Sequence, residues 1–340
     1  MMLQGHFVDT LMLPEYKDKS HIAFNIWSYF RGITAPTFFT ISGLIFTYLL
    51  LKAKAKLEDS KRMRKGIIRG VMLIATGYLL RVPIFDWFYG KFSAYVLVVD
   101  VLQIIGLSLI GVVVLYILCF KNTLALSIVS FSLGCLIFVT EPLYRGIVLE
   151  NVPLFLSNYF SKANGSVFTF LPWFGYVCFG TYIACVFNKY LEKPRFKTLI
   201  IVLFFVVGYV LIEWSSYALL NLSRLTGIHL FYECAYFNYL FTRLGNVLIY
   251  FGIFYGLERY LKHPLILKTG QKTLSIYVIH FIIIYGSFTG YGLNAIIGRT
   301  LTPWESVIGA ILFLSGVCVI AFNYAKTNAF LYRKLRALVK

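Results

Sequence analysis

The chain alternates between apolar runs of about 17 to 25 residues, the length a helix needs to cross a bilayer, and shorter polar connections. Read as helices that cross a hydrocarbon core about 30 Å thick, the runs fall at 34–51, 67–84, 94–119, 123–140, 167–188, 198–217, 239–258, 273–289 and 304–325. The opening stretch, Met1 to Leu13, reads as the outer end of a further hydrophobic helix whose earlier part precedes the sequence. Counting it, the pattern predicts an all-α, polytopic transmembrane bundle of about ten helices, a single integral membrane domain over 1–340, with both termini on one side. A cleavable signal peptide is not expected, because that stretch lacks a basic leader and a small-residue cleavage site.

The apolar region from Ile22 to Leu51 is too long for one span, since a single helix of that length would measure about 45 Å. Gly32 and Pro36 mark the expected break, because proline disfavours helix in the residue before it. A lateral segment over 22–33 would then feed a steep helix from Pro36. Irregular backbone at membrane depth must be buried or line a wet cavity, so a cavity is expected beside Arg31. Segments 141–166 and 218–238 are expected to form long loops on the outer side.

Composition supports lipid as the main surroundings. With 59% hydrophobic and 14% charged residues and a mean hydropathy of +0.77, there is too little polar surface to cover a soluble core. The net charge is nevertheless +18, and 22 of the 32 Lys and Arg residues fall in 52–69, 120–122, 189–197, 259–272 and 326–340, which are alternate connections. The positive-inside rule places those segments, and the C-terminus, in the cytoplasm. The end bearing His6 and Asp9 then lies on the opposite face of an inner-type membrane. The loops account for the basic balance, so membrane lipids and no nucleic acid are the expected partners. Self-association into a homo-oligomer is left open. The stretch Tyr332-Arg333-Lys334-Leu335-Arg336 reads as an amphipathic basic tail attached to the membrane surface. Six cysteines show no CxxC or metal-ligand spacing, and no nucleotide-binding, zinc-protease or serine-hydrolase motif is found. No metal is expected.

Against this apolar background the ionisable residues stand out. His6 and Asp9 are three residues apart, so on a helix they share a face and the carboxylate can orient the imidazole. A neutral imidazole near pH 7 can take a proton from an attacking hydroxyl or amine; an interfacial histidine bonded to a carbonyl gives the same spacing. Arg31, Arg81, Asp86, Asp100, Glu213 and Arg243 lie toward the same outer side, either as structural ion pairs such as Arg81 with Asp86 or Asp100, or as a site for sugar or phosphate. Asp100 and Gln103 are again i and i+3. Trp173 can stack on a sugar face or sit in an interfacial aromatic belt. His280, eight residues into its run, either packs in the core or lines the path of an acyl chain. Arg64, Lys65 and Arg69 belong to the densest basic patch, which topology alone explains and which also suits the phosphates of coenzyme A.

Together, Gly5-His6-Phe7-Val8-Asp9, the run from Arg31-Gly32-Ile33-Thr34-Ala35-Pro36 to Gly43, Asp100-Val101-Leu102-Gln103, Phe170-Leu171-Pro172-Trp173-Phe174-Gly175 and Ser275-Ile276-Tyr277-Val278-Ile279-His280 resemble the bacterial branch of the heparan-α-glucosaminide N-acetyltransferase catalytic-domain family. That family is related in layout to the wider membrane acyltransferase group. The resemblance runs in order from Gly5 to about Tyr285. It implies a bundle that takes acetyl-CoA from the cytosol and acetylates an amine or hydroxyl of a cell-envelope saccharide on the far side. It also implies a catalytic histidine at the outer end of the first helix or in the following loop. His6, accompanied by Asp9, matches the first position and His21 is the alternative. Arg31, Asp86, Asp100, Gln103 and Trp173 would position the acceptor and His280 the acyl path. Ile104 departs from the pattern, standing where some relatives carry a basic residue.

A transporter or flippase of a glycan or lipid-linked intermediate would use the same embedded charges as a translocation route; it predicts substrate movement without an acyl donor, and internal symmetry, of which the sequence shows none. A structural subunit would leave the paired polar positions unexplained.

Overall fold

The computed structural model describes residues 1–18 and 20–338, with side chains as far as Tyr324. Eleven helices of ten or more residues carry the fold: α1 (Met2–Leu11), α2 (Ile22–Lys54), α3 (Asp59–Leu79), α4 (Val101–Leu118), α5 (Thr123–Val139), α6 (Phe170–Tyr190), α7 (Phe196–Glu213), α8 (Ser215–Thr226), α9 (Tyr239–Gly256), α10 (Thr273–Tyr285) and α11 (Pro303–Leu338). Every span expected from the hydropathy pattern coincides with one of them. Among the described residues there is no strand, only an isolated bridge between Met12 and Leu301. By length and composition five segments can cross a membrane: α2, 94–118 with α4, α6, α7, and α11 over Pro303–Tyr324. Helices α5 and α10 are apolar but shorter. Outward side chains such as Val206 and Tyr209 on α7, or Ile311 and Leu312 on α11, are exposed, as lipid-facing positions require. The protein is an integral membrane protein. The basic tail at 332–336 lies outside the residues whose side chains are described.

The chain divides into two compact units, one made of Met1–Arg31, Leu80–Ser93 and Leu257–Lys340 and the other of Gly32–Leu79 and Ala94–Gly256. In the larger unit small residues set the helix spacing, as they do where lipid supplies no hydrophobic drive between helices. Helices α3 and α4 approach so closely that a Cβ on Gly70 would lie 2.6 Å from the Gly106 carbonyl oxygen, and α7 and α9 do the same, with 2.8 Å from Gly208 to the Gly245 oxygen. Each of these four glycines is followed four residues later by isoleucine (Ile74, Ile110, Ile212, Ile249), and that side chain packs beside the opposing glycine. Thr47 on α2 and Thr181 on α6 share a buried hydrogen bond of 3.1 Å.

Two expectations are corrected. Helix α2 does not break at Pro36; it runs through as 33 residues. Proline deprives the carbonyl four residues earlier of its donor, here that of Gly32, and the Tyr239 hydroxyl donates to that oxygen at 3.3 Å. Thr40 donates back to the Pro36 carbonyl at 2.8 Å. Segment 218–238 is not a loop: α8 ends at Gly227, whose φ of +70° suits glycine, and a second helix follows over His229–Tyr236. Likewise 141–166 holds short helices at Glu141–Tyr144 and Leu154–Phe160.

In the smaller unit, Leu3, Phe7 and Leu11 form one stripe of α1 and pack with Ile276 and Ile284 of α10 and Phe313 and Val317 of α11. Gly309 leaves room for Phe7, whose ring would stand 2.8 Å from a Cβ there. Leu13 N donates to Leu301 O and Leu301 N to Leu11 O, both at 3.0 Å, which ties the end of α1 to the approach to α11.

Candidate functional site

With Leu3, Phe7 and Leu11 committed to the core, helical geometry turns His6 and Thr10 to a neighbouring face of α1, and Gly5 and Asp9 to the next. The half-buried His6 presents Nδ1 3.0 Å from the hydroxyl of Tyr285, the last residue of α10. Its ring lies 5.2 Å, centroid to centroid, from the fully buried ring of His280, five residues before Tyr285 on α10. His280 Nδ1 donates to the Ile276 carbonyl at 3.3 Å, so that nitrogen carries the proton and Nε2 is the basic one. Two imidazoles and a phenol thus meet between α1 and α10.

Arg31 crosses over from the first turns of α2. It forms an ion pair with Asp9, lies 3.6 Å from where a Gly5 Cβ would stand and stacks on Trp27 at 5.6 Å. The Trp27 indole donates to Gln4 at 2.7 Å. The Arg31 side chain thus lies along α1 over Gly5, at a distance that is ordinary van der Waals contact. Lys17, at the end of the short 3₁₀ turn Pro14–Lys17, donates to the Asp9 carbonyl at 2.7 Å. Burial, and then the charge of Arg299, push the Lys17 ammonium below its ordinary value; Arg31 acts in the same sense and Asp9 opposes. Arg31 and Lys17 thus both engage Asp9, three residues along α1 from His6.

Of the residues singled out in the sequence, the structure brings His6, Asp9, Arg31 and His280 together in the smaller unit. His21 lies just before α2, exposed, on the edge of an apolar groove against α1 and α11. Asp86 is exposed in the short helix Ile84–Phe88, and the buried Arg81 stacks on Phe281 at 5.5 Å. The other candidates belong to the larger unit. Asp100 and Gln103 form the capping box that starts α4: the Asp100 side chain accepts from Val101 N at 2.7 Å, and Gln103 Oε1 accepts from Asp100 N at 3.2 Å. Trp173 is not at a lipid-facing belt; it is 8% exposed and packs among the rings of Phe39, Phe168 and Tyr176. Arg64, Lys65 and Arg69 are exposed on the first turns of α3.

Sequence reasoning missed Tyr285, the group seen on His6 Nδ1, a place it gave to Asp9. The available signal was a polar-tipped aromatic at the end of an apolar run, five residues beyond His280. It also missed Trp27, Lys17 and Arg299. Among the described residues no group of three or more His, Cys, Asp and Glu is arranged to hold a metal ion.

Apolar spans with a histidine pair and a charged pair on one short helix define an integral membrane protein with a polar centre. The model of heparan-alpha-glucosaminide N-acetyltransferase, catalytic, matches residues 1–220, and the chain belongs to this acetyltransferase family. The matched stretch includes His6, Asp9 and Arg31, while His280 and Tyr285 lie beyond it. No curated protein and no solved structure matches the chain.

Proposed function

We propose that the protein transfers an acetyl group from cytosolic acetyl-CoA to an amine or hydroxyl of a cell-envelope saccharide on the opposite side of the membrane, with His6 as general base. The observation that carries this reading is the His6–Tyr285–His280 constellation beside the Asp9–Arg31 pair, of which His6, Asp9 and Arg31 fall within the family match. An imidazole oriented through one nitrogen keeps the other for proton transfer. The acceptor's N–H or O–H proton passes to His6 as its heteroatom bonds to the thioester carbonyl carbon. The carbon–sulfur bond breaks, coenzyme A leaves as a thiolate, and a proton returns to sulfur. His280 stands next to that proton and lines the acyl path. Arg31, held by Asp9, orients the acceptor. The exposed Arg64, Lys65 and Arg69 supply the charge that coenzyme A phosphates require.

The test is incubation of the full-length protein in lipid with radiolabelled acetyl-CoA, first alone and then with glucosamine-type saccharides, for wild type and His6→Ala. Label transfer that depends on His6 is expected. Undiminished transfer by His6→Ala would remove its role, and no turnover of any acyl-CoA would overturn the enzyme reading and favour a glycan transporter.

A further inference from the structure

The larger unit carries a groove that the transferase reading does not use. It lies at the corner where α6 ends at Tyr190 and α7 begins at Phe196, and its volume is about 850 Å³. The buried Phe196 and Ile200 form its floor, while Leu199, Val202 and Leu203, which also line it, are exposed. Helix α7 is long and apolar enough to cross a membrane, so a groove edged by its exposed apolar side chains opens toward lipid. From Phe196 to Leu203 it follows the helix for about 10 Å at the rise of 1.5 Å per residue. A slot of that composition accepts a hydrocarbon chain.

The corner end of the groove is cationic. Lys193 and Arg195 are among its lining residues, and no carboxylate is. Lys189 brings a third cation: its ammonium and that of Lys193 stand 5.1 and 4.9 Å from the centre of one ring, that of Tyr190, which lines the groove as well. Like charges gathered on one ring repel, and an anion between them turns that repulsion into attraction. The sole acidic residue between Val186 and Leu203 is Glu192. Its side chain is 91% exposed and pairs instead with Lys52 of α2, at 3.7 Å. Lys197 is engaged elsewhere, over the Tyr255 ring of α9 at 5.0 Å. Arg195 adds a conformational sign. Its φ of +62° is left-handed, which costs a residue with a side chain, and backbone held in that way gathers at binding sites.

We infer that this groove holds an anionic phospholipid, with an acyl chain along Phe196 to Leu203 and the phosphate at Lys189, Lys193 and Arg195. The apolar floor selects an amphiphile over a free anion. The cations, unanswered by a carboxylate in the lining, select an anionic headgroup over a zwitterionic one, through charge-assisted hydrogen bonds to phosphate. Since 189–197 is one of the basic connections, the positive-inside rule puts this lipid in the cytoplasmic leaflet. Coenzyme A is a poorer occupant, because a groove that opens toward lipid along α7 gives its water-soluble body no polar surroundings. Lipid binding here does not depend on the transferase reading.

The experiment uses the full chain in phosphatidylcholine nanodiscs that contain, at equal mole fraction, either photoreactive phosphatidylglycerol or photoreactive phosphatidylcholine. Adducts are mapped by mass spectrometry for wild type, Lys193→Gln/Arg195→Gln, Val202→Trp and a control with the same charge change in another basic connection, Lys262→Gln/Lys268→Gln. Val202 is more than half exposed, so a larger side chain there narrows the groove without entering the core. Expected are at least fivefold more adducts at the α6–α7 corner from phosphatidylglycerol than from phosphatidylcholine, a fivefold or greater loss of the former in Lys193→Gln/Arg195→Gln and in Val202→Trp, and no loss in the control. Equal labelling by the two lipids overturns the inference in favour of ordinary lipid contact. An equal loss in the control overturns it in favour of diffuse attraction to basic loops, and adducts displaced by acetyl-CoA overturn it in favour of the acyl donor. In detergent, added phosphatidylglycerol raises the melting temperature of wild type, as a ligand of the folded state does, and not that of Lys193→Gln/Arg195→Gln; the same rise in both overturns the inference too.

Discussion

Replacing Tyr285 by phenylalanine removes one atom, the hydroxyl 3.0 Å from His6 Nδ1, and leaves the ring that packs on Phe281 at 4.6 Å. If that hydroxyl orients the imidazole, the variant loses its hydrogen bond to His6, about 0.5–1.5 kcal/mol, together with the longer one, 3.5 Å, that it accepts from Thr10 Oγ1. Since each 1.36 kcal/mol is a factor of ten in rate, kcat falls by roughly 2- to 12-fold. Removing the base itself costs about 10²–10⁴, so His6→Ala sits well below Tyr285→Phe. The loss in Tyr285→Phe belongs in kcat, because the hydroxyl acts on the base and touches neither donor nor acceptor binding. The assay is the initial rate of acetyl transfer in nanodiscs across acetyl-CoA and acceptor concentrations, for wild type, Tyr285→Phe, His6→Ala and the double variant. On the His6→Ala background the hydroxyl has no imidazole left to orient, only its contact with Thr10, and the phenylalanine produces no further loss of transfer rate. An unchanged kcat in Tyr285→Phe, or a full additional loss in the double variant, would refute the reasoning.

Three further outcomes follow from the structure. Asp100→Ala removes the side chain that caps α4 and lowers stability by about 0.5–2 kcal/mol with KM for the acceptor unchanged; a raised KM at undiminished melting temperature would return Asp100 to the binding site. Gly106→Ala places a methyl group against the Gly70 carbonyl, forces α3 and α4 apart and costs about 1–3 kcal/mol, read as a lower melting temperature in detergent. The Asp59 carboxyl, at the start of α3, lies below its ordinary 3.8 because the Lys121 ammonium donates to it, at 3.0 Å. A depressed carboxylate stabilises the fold above pH 3.8 and stops doing so as pH falls through its lower folded value. Lys121→Met is therefore less stable than wild type at pH 7, by about 0.2–1 kcal/mol for so exposed a pair. Chemical denaturation from pH 7 downward will show that gap closing in acid, and a gap that widens there contradicts the assignment.

The positions of the spanning helices were legible because hydropathy over twenty residues is set by the bilayer and not by neighbours. The break expected at Pro36 was illegible: its cure is a hydroxyl from Tyr239, some 200 residues away in sequence, and no local pattern announces it. The same holds for the glycine–isoleucine register shared by α3, α4, α7 and α9, which is four residues long and has meaning only once the helices are paired. At the candidate site, His6, Asp9, Arg31 and His280 could be named because ionisable groups are rare in such a chain and each needs a reason. Which of them meet could not be read. Asp9 turned out to hold Arg31, and Tyr285 stands on His6; an i, i+3 spacing permits a pairing without choosing it. Asp100 and Gln103 had the same spacing and a local purpose, the capping box, which is a signature of a helix start as much as of a site.

The central claim is that His6 takes the proton of an acetyl acceptor. The most direct measurement is single-turnover transfer of label from acetyl-CoA to a glucosamine-type acceptor by the folded wild type and the folded His6→Ala protein, with coenzyme A binding measured on both. The account predicts equal coenzyme A affinity and a transfer rate lower by about 10²–10⁴ in the variant; equal rates in the two proteins, or no transfer by wild type, would contradict it.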